Sequence, residues 1–115
     1  MIETTLYNQL STALTETVYM EIPNPLPKTP FYLLEKTGGS RTNQICYATF
    51  ALQSYGGSLV KAAEMNLAGI TAMLGAVALD EVSDVTLNSD YNFPDLTRKR
   101  NRYQAVFNVT HYEME

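Results

Sequence analysis

The segment from residue 103 to residue 110 alternates strictly between two kinds of side chain. The first set is Tyr103, Ala105, Phe107 and Val109, and the second set is Gln104, Val106, Asn108 and Thr110. Because successive side chains of a β-strand point to opposite faces, this period of two predicts a half-buried strand. The second face is uncharged and polar rather than covered with Lys and Glu, so we expect it to contact other protein instead of bulk water.

The rest of the chain predicts a small set of helices and strands around this one. Apolar residues at helical spacing predict a short helix over 3–14, and the four prolines of 23–30 predict a stiff extended connection. Strands are expected over 18–22, 31–36, 44–55 and 82–87, with a turn-rich loop at Gly38–Asn43 and a second loop at 94–102. The 31–36 and 44–55 strands are therefore expected to form a protruding hairpin.

A longer helix is predicted over 59–77, with Ser58 as its N-cap. Its apolar stripe reads Leu59, Ala63, Leu67, Ile70, Leu74 and Val77, and we expect that stripe to pack on the sheet. Met65 and Met73 lie off the stripe and are expected to be partly exposed or to contact a neighbouring subunit. The chain, residues 1–115, is thus predicted to be one α+β domain. It has a mostly antiparallel sheet of about five strands, with one long helix and a short N-terminal helix packed on it.

Charge and cysteine content exclude several classes of protein. A formal net charge of -4 argues against a general nucleic-acid binder, because phosphate neutralisation needs a basic surface. The single cysteine, Cys46, excludes an internal disulfide and is expected to be a small buried residue of its strand. The chain begins without the basic and apolar segments of a signal peptide, and no apolar run approaches the ~20 residues that span a bilayer.

Few residues of this sequence could take part in catalysis or bind a metal ion. His111 is the only histidine and lacks partners at metal-ligand spacing, so neither a metal site nor a cofactor is predicted. The acidic cluster Asp80, Glu81 and Asp84 lacks the spacing of an EF-hand loop and is expected to be a solvated turn. We therefore predict no catalytic residues.

Two polar segments are candidate protein interfaces. Four of the eight basic residues, Arg98, Lys99, Arg100 and Arg102, fall within five positions. They could dock on an acidic partner surface or contact phosphate, or form a solvated loop balanced by Asp90 and Asp95. The second segment is the predicted hairpin tip with Gly39, Arg41 and Asn43. Both segments are hypothesised to contact other subunits.

Several segments together resemble the tail-terminator proteins of long-tailed bacteriophages and prophages. The resemblance rests on 30–39 (PFYLLEKTGG), 45–55 (ICYATFALQSY) with the alanine-rich helix after it, 87–94 (LNSDYNFP) and 102–112 (RYQAVFNVTHY). It covers residues 15 to 112, and its motifs are turns, aromatics and strand ends rather than catalytic signatures.

This resemblance implies a structural protein without enzymatic activity. Its copies would form a ring, usually of six, on the last ring of the tail tube, stopping polymerisation and offering a surface for the head. The implied partners are further copies of the chain, the tail tube protein and a head completion or neck protein, with DNA only as passing cargo and no membrane. The implied location is the virion tail, assembled in the host bacterial cytoplasm. Two alternatives stay open: another head–tail connector subunit, and a small α+β ligand-binding or enzymatic dimer that uses His111 and the acidic cluster.

Overall fold

The computed structural model describes residues 1–112, which form two α-helices and five strands. The helices are α1 (Ile2–Ala13) and α2 (Leu59–Leu74), and α2 is followed by a 3-10 turn at Gly75–Ala78. The strands are β1 (Thr17–Tyr19), β2 (Phe31–Thr42), β3 (Ile45–Gly56), β4 (Val82–Asn92) and β5 (Asn101–Tyr112). Ser58 caps α2 as predicted, because its Oγ accepts a hydrogen bond from the Lys61 backbone N–H at 3.1 Å.

The five strands form one sheet in the order β1-β2-β3-β5-β4. The short β1 pairs with β2 in parallel, and every other pair is antiparallel. The predicted alternation of β5 is confirmed: Ala105, Phe107 and Val109 are buried on the same side as Phe50 and Leu52 of β3. Both helices pack on this side, so the predicted α+β class is confirmed.

The prediction of a loop at Gly38–Asn43 is wrong. β2 stays paired with β3 through Thr42, with a register shift between Lys36 and Gly38, and only Asn43 and Gln44 form the turn. Asn43 has φ 58° there, a left-handed conformation that asparagine tolerates better than most residues. Pairing with β3 gives the glycine-rich segment its backbone hydrogen bonds and overrides its low strand propensity. β4 likewise extends to Asn92, five residues beyond its predicted end.

The prediction of which face of α2 is buried is also wrong. The residues that α2 buries are Ala62, Met65, Asn66, Gly69, Ala72 and Met73. Leu67 is 67% exposed, whereas Met73 is fully buried. At 3.6 residues per turn, the buried stripe lies about 110° around the helix from the predicted one.

The reason for this orientation is the close approach of α2 to the sheet. A Cβ on Gly69 would lie 2.7 Å from a methyl group of Leu52, so no larger residue fits there without a shift. Tyr32 of β2 is buried under α2 and donates a hydrogen bond from its hydroxyl to the Met65 carbonyl at 2.9 Å. Burial raises the pKa of Tyr32, which keeps the hydroxyl protonated as a donor. Small residues on α2 therefore face the sheet, and the methionines fill the remaining space.

The other side of the sheet has a second, smaller core at one end. Phe31 and Tyr55 stack with ring centroids 4.6 Å apart, next to buried Leu33. Tyr19 of β1 and Leu26 of the proline-rich segment pack against this group. This segment covers one end of that sheet face.

Candidate protein-interaction surfaces

The first candidate surface is the sheet face opposite the helices, away from the proline-rich segment. Register places Thr49 opposite Asn108, and Ala51 opposite Val106, across β3 and β5. Asn108 is exposed and Val106 is half-buried. Among residues 1–112, no helix packs on this part of the sheet. The uncharged face that the alternation of β5 predicts therefore lies open.

The side chains at one edge of this open face are held by a row of hydrogen bonds. Gln53 donates from its Nε2 to Oε1 of Gln104 at 2.7 Å, and Gln104 donates from its Nε2 to the Tyr91 hydroxyl at 2.6 Å. The row crosses β3, β5 and β4. Side chains that are already ordered lose less rotamer entropy when a partner covers them.

The second candidate surface is the outer face of α2 and the 3-10 turn. It carries large aliphatic side chains that are about half exposed or more: Leu59, Val60, Leu67 and Val77. An aliphatic row of this kind on a helix is typical of a protein contact. The sequence shows the row clearly, but its periodicity is the same as that of a core-facing stripe.

The predicted basic cluster is built into a structured loop instead of projecting from it. Asp95, only 3% exposed, accepts a hydrogen bond on Oδ2 from the Arg98 guanidinium at 3.0 Å and another on Oδ1 from the Arg98 backbone N–H at 3.1 Å. The Tyr55 hydroxyl donates to the same carboxylate at 3.0 Å. Arg102 donates to the Tyr55 hydroxyl at 3.0 Å and lies 4.3 Å over the ring of Phe93.

Burial of Asp95 would by itself raise the pKa of its carboxyl. The hydrogen bonds from Arg98 and Tyr55 and the charge of Arg102 outweigh that effect and hold the pKa below its ordinary value. Burial, together with the hydrogen bond to Asp95, raises the pKa of Tyr55. Asp95 is therefore a buried anion, and the Tyr55 hydroxyl stays protonated as its donor.

The remaining basic residues of the cluster have different roles. Arg100 donates from its guanidinium to the Pro27 carbonyl and so ties the loop to the proline-rich segment. Lys99 is exposed and has φ 56°, a left-handed conformation. Asp95 forms ion pairs with Arg98 and Arg102, so it balances the charge of these two residues as one of the alternatives predicts. Asp90, the other carboxylate of that alternative, accepts a hydrogen bond from Asn66.

The hairpin residues lie at the opposite end of the sheet from this loop. Gly39 and Arg41 belong to β2 and Asn43 to its turn, next to the end of β5 at Tyr112. Arg41 donates from its Nε to the Cys46 sulfur at 3.3 Å. At ~3.4 Å per residue, the eleven residue steps of β5 separate the two predicted interface segments by about 37 Å. The structure does not bring them together, and their contact with other subunits stays a prediction.

The residues considered for chemistry lie near the hairpin end. His111 is buried opposite Cys46 in the β3–β5 pair, and both line an open depression of about 400 Å³ with Lys36 and Glu3. Within residues 1–112, no group of three or more His, Cys, Asp or Glu side chains is placed to hold a metal ion. In the same part of the chain, neither helix has the length and apolar composition needed to cross a bilayer.

Sequence reasoning named Asp95 only as a balancing charge, and it missed both the role of Asp95 in ordering the loop and the exposure of Leu96. The available signal was the spacing of Asp95 and Arg98, since an aspartate that begins a turn commonly accepts from a backbone N–H two or three residues later. The contribution of Tyr55 had no local signal, because it is 40 residues away in sequence.

Comparison with known proteins identifies no family for this chain. No family model matches, and no curated protein matches. Among solved structures, the chain is similar to a protein from Akkermansia muciniphila whose crystal structure is known, with 12% sequence identity and a TM-score of 0.46. That match covers 96% of this chain and 49% of the other, so this chain spans about half of that protein's length.

Proposed function

We propose that this chain is a structural subunit of a tail-terminator ring of a long-tailed bacteriophage or prophage. Copies would join side by side on the last ring of the tail tube, stop its polymerisation and present a surface to the head completion or neck protein. Its place would be the virion tail. The sequence resemblance motivates this proposal, and the surfaces of the molecule support it.

The observation that carries the proposal is the pair of dissimilar surfaces on opposite layers of the domain. The open sheet face is polar, with Thr49, Val106 and Asn108 on its two central strands, whereas the outer face of α2 is aliphatic around Val60 and Leu67. A subunit in a closed ring needs two different patches, because each copy contacts one neighbour on each side. A two-fold dimer needs only one self-complementary patch.

The charge of the chain is compatible with a channel through which DNA passes. The formal net charge is -4, so the surface as a whole does not attract phosphate. We expect weak binding of duplex DNA at physiological ionic strength. A ring that retained DNA by many phosphate contacts would retard its passage.

The test is to assemble tail tubes from the tube protein encoded in the same genome, with and without this chain, and to measure tube lengths by negative-stain electron microscopy. We expect uniform tubes with a ring at one end when the chain is present. Asn108→Lys places a charge on the open sheet face and should abolish the rings. Ser11→Lys, an exposed position of α1, is the matched control and should leave them intact.

The outcomes of this experiment separate the proposal from its alternatives. Rings that join heads but leave tube length uncontrolled would favour another connector subunit of the same machine. A discrete dimer in solution, with tubes unaffected by either variant, would refute the proposal and favour the small-dimer alternative.

A further inference from the structure

The loop formed by residues 96–99 presents an apolar side chain on a rigid support. Leu96 is 81% exposed, more than any other large apolar residue of the described chain. Asp95 and Arg100 close the loop with a reciprocal pair of backbone hydrogen bonds, each 3.0 Å long. Leu96 contributes almost nothing to the core, and its side chain is available to pack against another molecule.

The surroundings of Leu96 indicate the chemistry of that other molecule. Arg98 and Lys99 follow it in the same loop, and the Arg98 side chain is 44% exposed. A surface that receives this loop must therefore combine an apolar patch with carboxylates at its rim. Charge complementarity of this kind sets the orientation and specificity of a contact.

A surface with those properties lies at the other end of the same chain. Leu74 and Val77 are exposed where α2 passes into the 3-10 turn. Asp80 and Glu81 are exposed directly after that turn. The C-terminal end of a helix adds partial negative charge. We call residues 74–81 the acidic patch.

The loop and the acidic patch cannot meet within one molecule. The loop precedes β5, whereas Val82, which follows the acidic patch, is in register with His111 near the end of β5. The ten residue steps between Asn101 and His111 span about 34 Å along the sheet. Two copies that lie head to tail can bring a loop and a patch together.

We propose that the Leu96 loop of one copy docks on the acidic patch of the next copy. Leu96 packs against Leu74 and Val77, and Lys99 lies near Asp80 and Glu81 of the receiving copy. Because the two surfaces differ, the contact is heterologous and is repeated from copy to copy. The inference rests on the proposed function, since it names surfaces through which ring subunits meet.

The experiment mixes two variants, one with an intact patch and one with an intact loop. Together they can form a single loop–patch contact and cannot extend it into a chain of copies. Leu96→Ser removes the apolar tip and keeps the patch, whereas Val77→Lys disrupts the patch and keeps the loop. Both positions are more than half exposed, so both variants should fold. The Leu96→Ser variant is labelled with ¹⁵N and titrated with the unlabelled Val77→Lys variant, up to about 1 mM, a range that detects millimolar affinity.

We expect the largest amide shift changes at residues 74–81 of the labelled variant, and at 95–100 when the labels are exchanged. Adding unlabelled Leu96→Ser to its own labelled form should cause no change. Replacing Val77→Lys by Ser11→Lys, an exposed position of α1 outside the patch and outside both candidate surfaces, should give the same shifts, because that variant also keeps the loop. Lys99→Glu in the partner should weaken binding at least tenfold, and added salt should weaken it further.

Absence of shifts at the highest concentration, or shifts on the open sheet face instead, would overturn the inference. Its failure is distinguishable from that of the proposed function. Tube-end rings that form normally with Leu96→Ser would refute the docking contact alone. The expected shifts, combined with no effect on tubes, would support the contact and refute the terminator function.

Discussion

Replacing Met73 by alanine should destabilise the domain far more than replacing Leu67 by aspartate. Met73 is a fully buried residue of α2. Truncating a buried methionine to alanine costs about 2–5 kcal/mol. Leu67 is 67% exposed, so only about a third of its side chain can lose burial, and the expected cost is below about 1 kcal/mol. This order inverts the one that the apolar stripe of the sequence predicts.

Urea unfolding followed by circular dichroism measures the difference. With an m-value of about 1.5 kcal/mol per M for a domain of this size, a loss of ~3 kcal/mol lowers the midpoint by about 2 M. The Met73→Ala midpoint should fall by this amount, and the Leu67→Asp midpoint by less than about 0.7 M. The measurement is made at low protein concentration so that self-association does not contribute. If Leu67→Asp lowered the midpoint as much as Met73→Ala, the face of α2 described as buried would be wrong. The helix would then be rotated about its axis by about 100°, the angle between successive residues.

Three further outcomes follow from single contacts. Gly69→Val should lower the thermal midpoint strongly, because its Cβ would overlap Leu52, whereas Gly38→Ala, with open space around it, should change the midpoint little. Ser58→Ala should cost about 1 kcal/mol through loss of the α2 cap, again measured by urea unfolding. Because the pKa of Asp95 is lowered in the folded state, its contribution is present above the unfolded pKa of ~3.9 and is lost as pH falls through the folded value. Asp95→Asn should therefore be less stable at pH 7 and show a flatter loss of stability below about pH 4, and a parallel pH profile of both proteins would contradict this.

The strands could be predicted where one face is buried and the alternation is strict. β5 satisfies this condition, and its buried residues Ala105, Phe107 and Val109 all belong to one of the two alternating sets of the sequence. A period of two leaves only one assignment of faces, because a shift by one residue would expose Phe107 and bury Asn108. The extension of β2 through Gly38 and Gly39 had no such signal, since it depends on pairing with β3 and not on local propensity.

The buried face of α2 could not be predicted, because the helix is apolar on two sides. Periodicity selects the stripe with the largest aliphatic residues, of which Leu67 is one. The sheet instead receives Gly69 and small neighbours, because Tyr32 rises from β2 to meet the helix backbone at Met65. Which face of α2 is buried thus depends on the shape of the sheet beneath it, and that shape is a property of the folded chain.

The basic loop illustrates the same dependence for a functional surface. Charge density draws attention to its arginines, yet Asp95 holds Arg98 and Arg102, and Arg100 is held by the Pro27 carbonyl. These contacts lower the conformational freedom of the loop, and that rigidity is what makes an exposed leucine at its tip effective in binding. If docking depended on charge alone, Leu96→Ser would retain it and Lys99→Glu would abolish it. If the rigid loop presents Leu96, as we infer, both variants should weaken docking, and Asp95→Asn should weaken it as well, although it changes neither Leu96 nor any residue of the acidic patch.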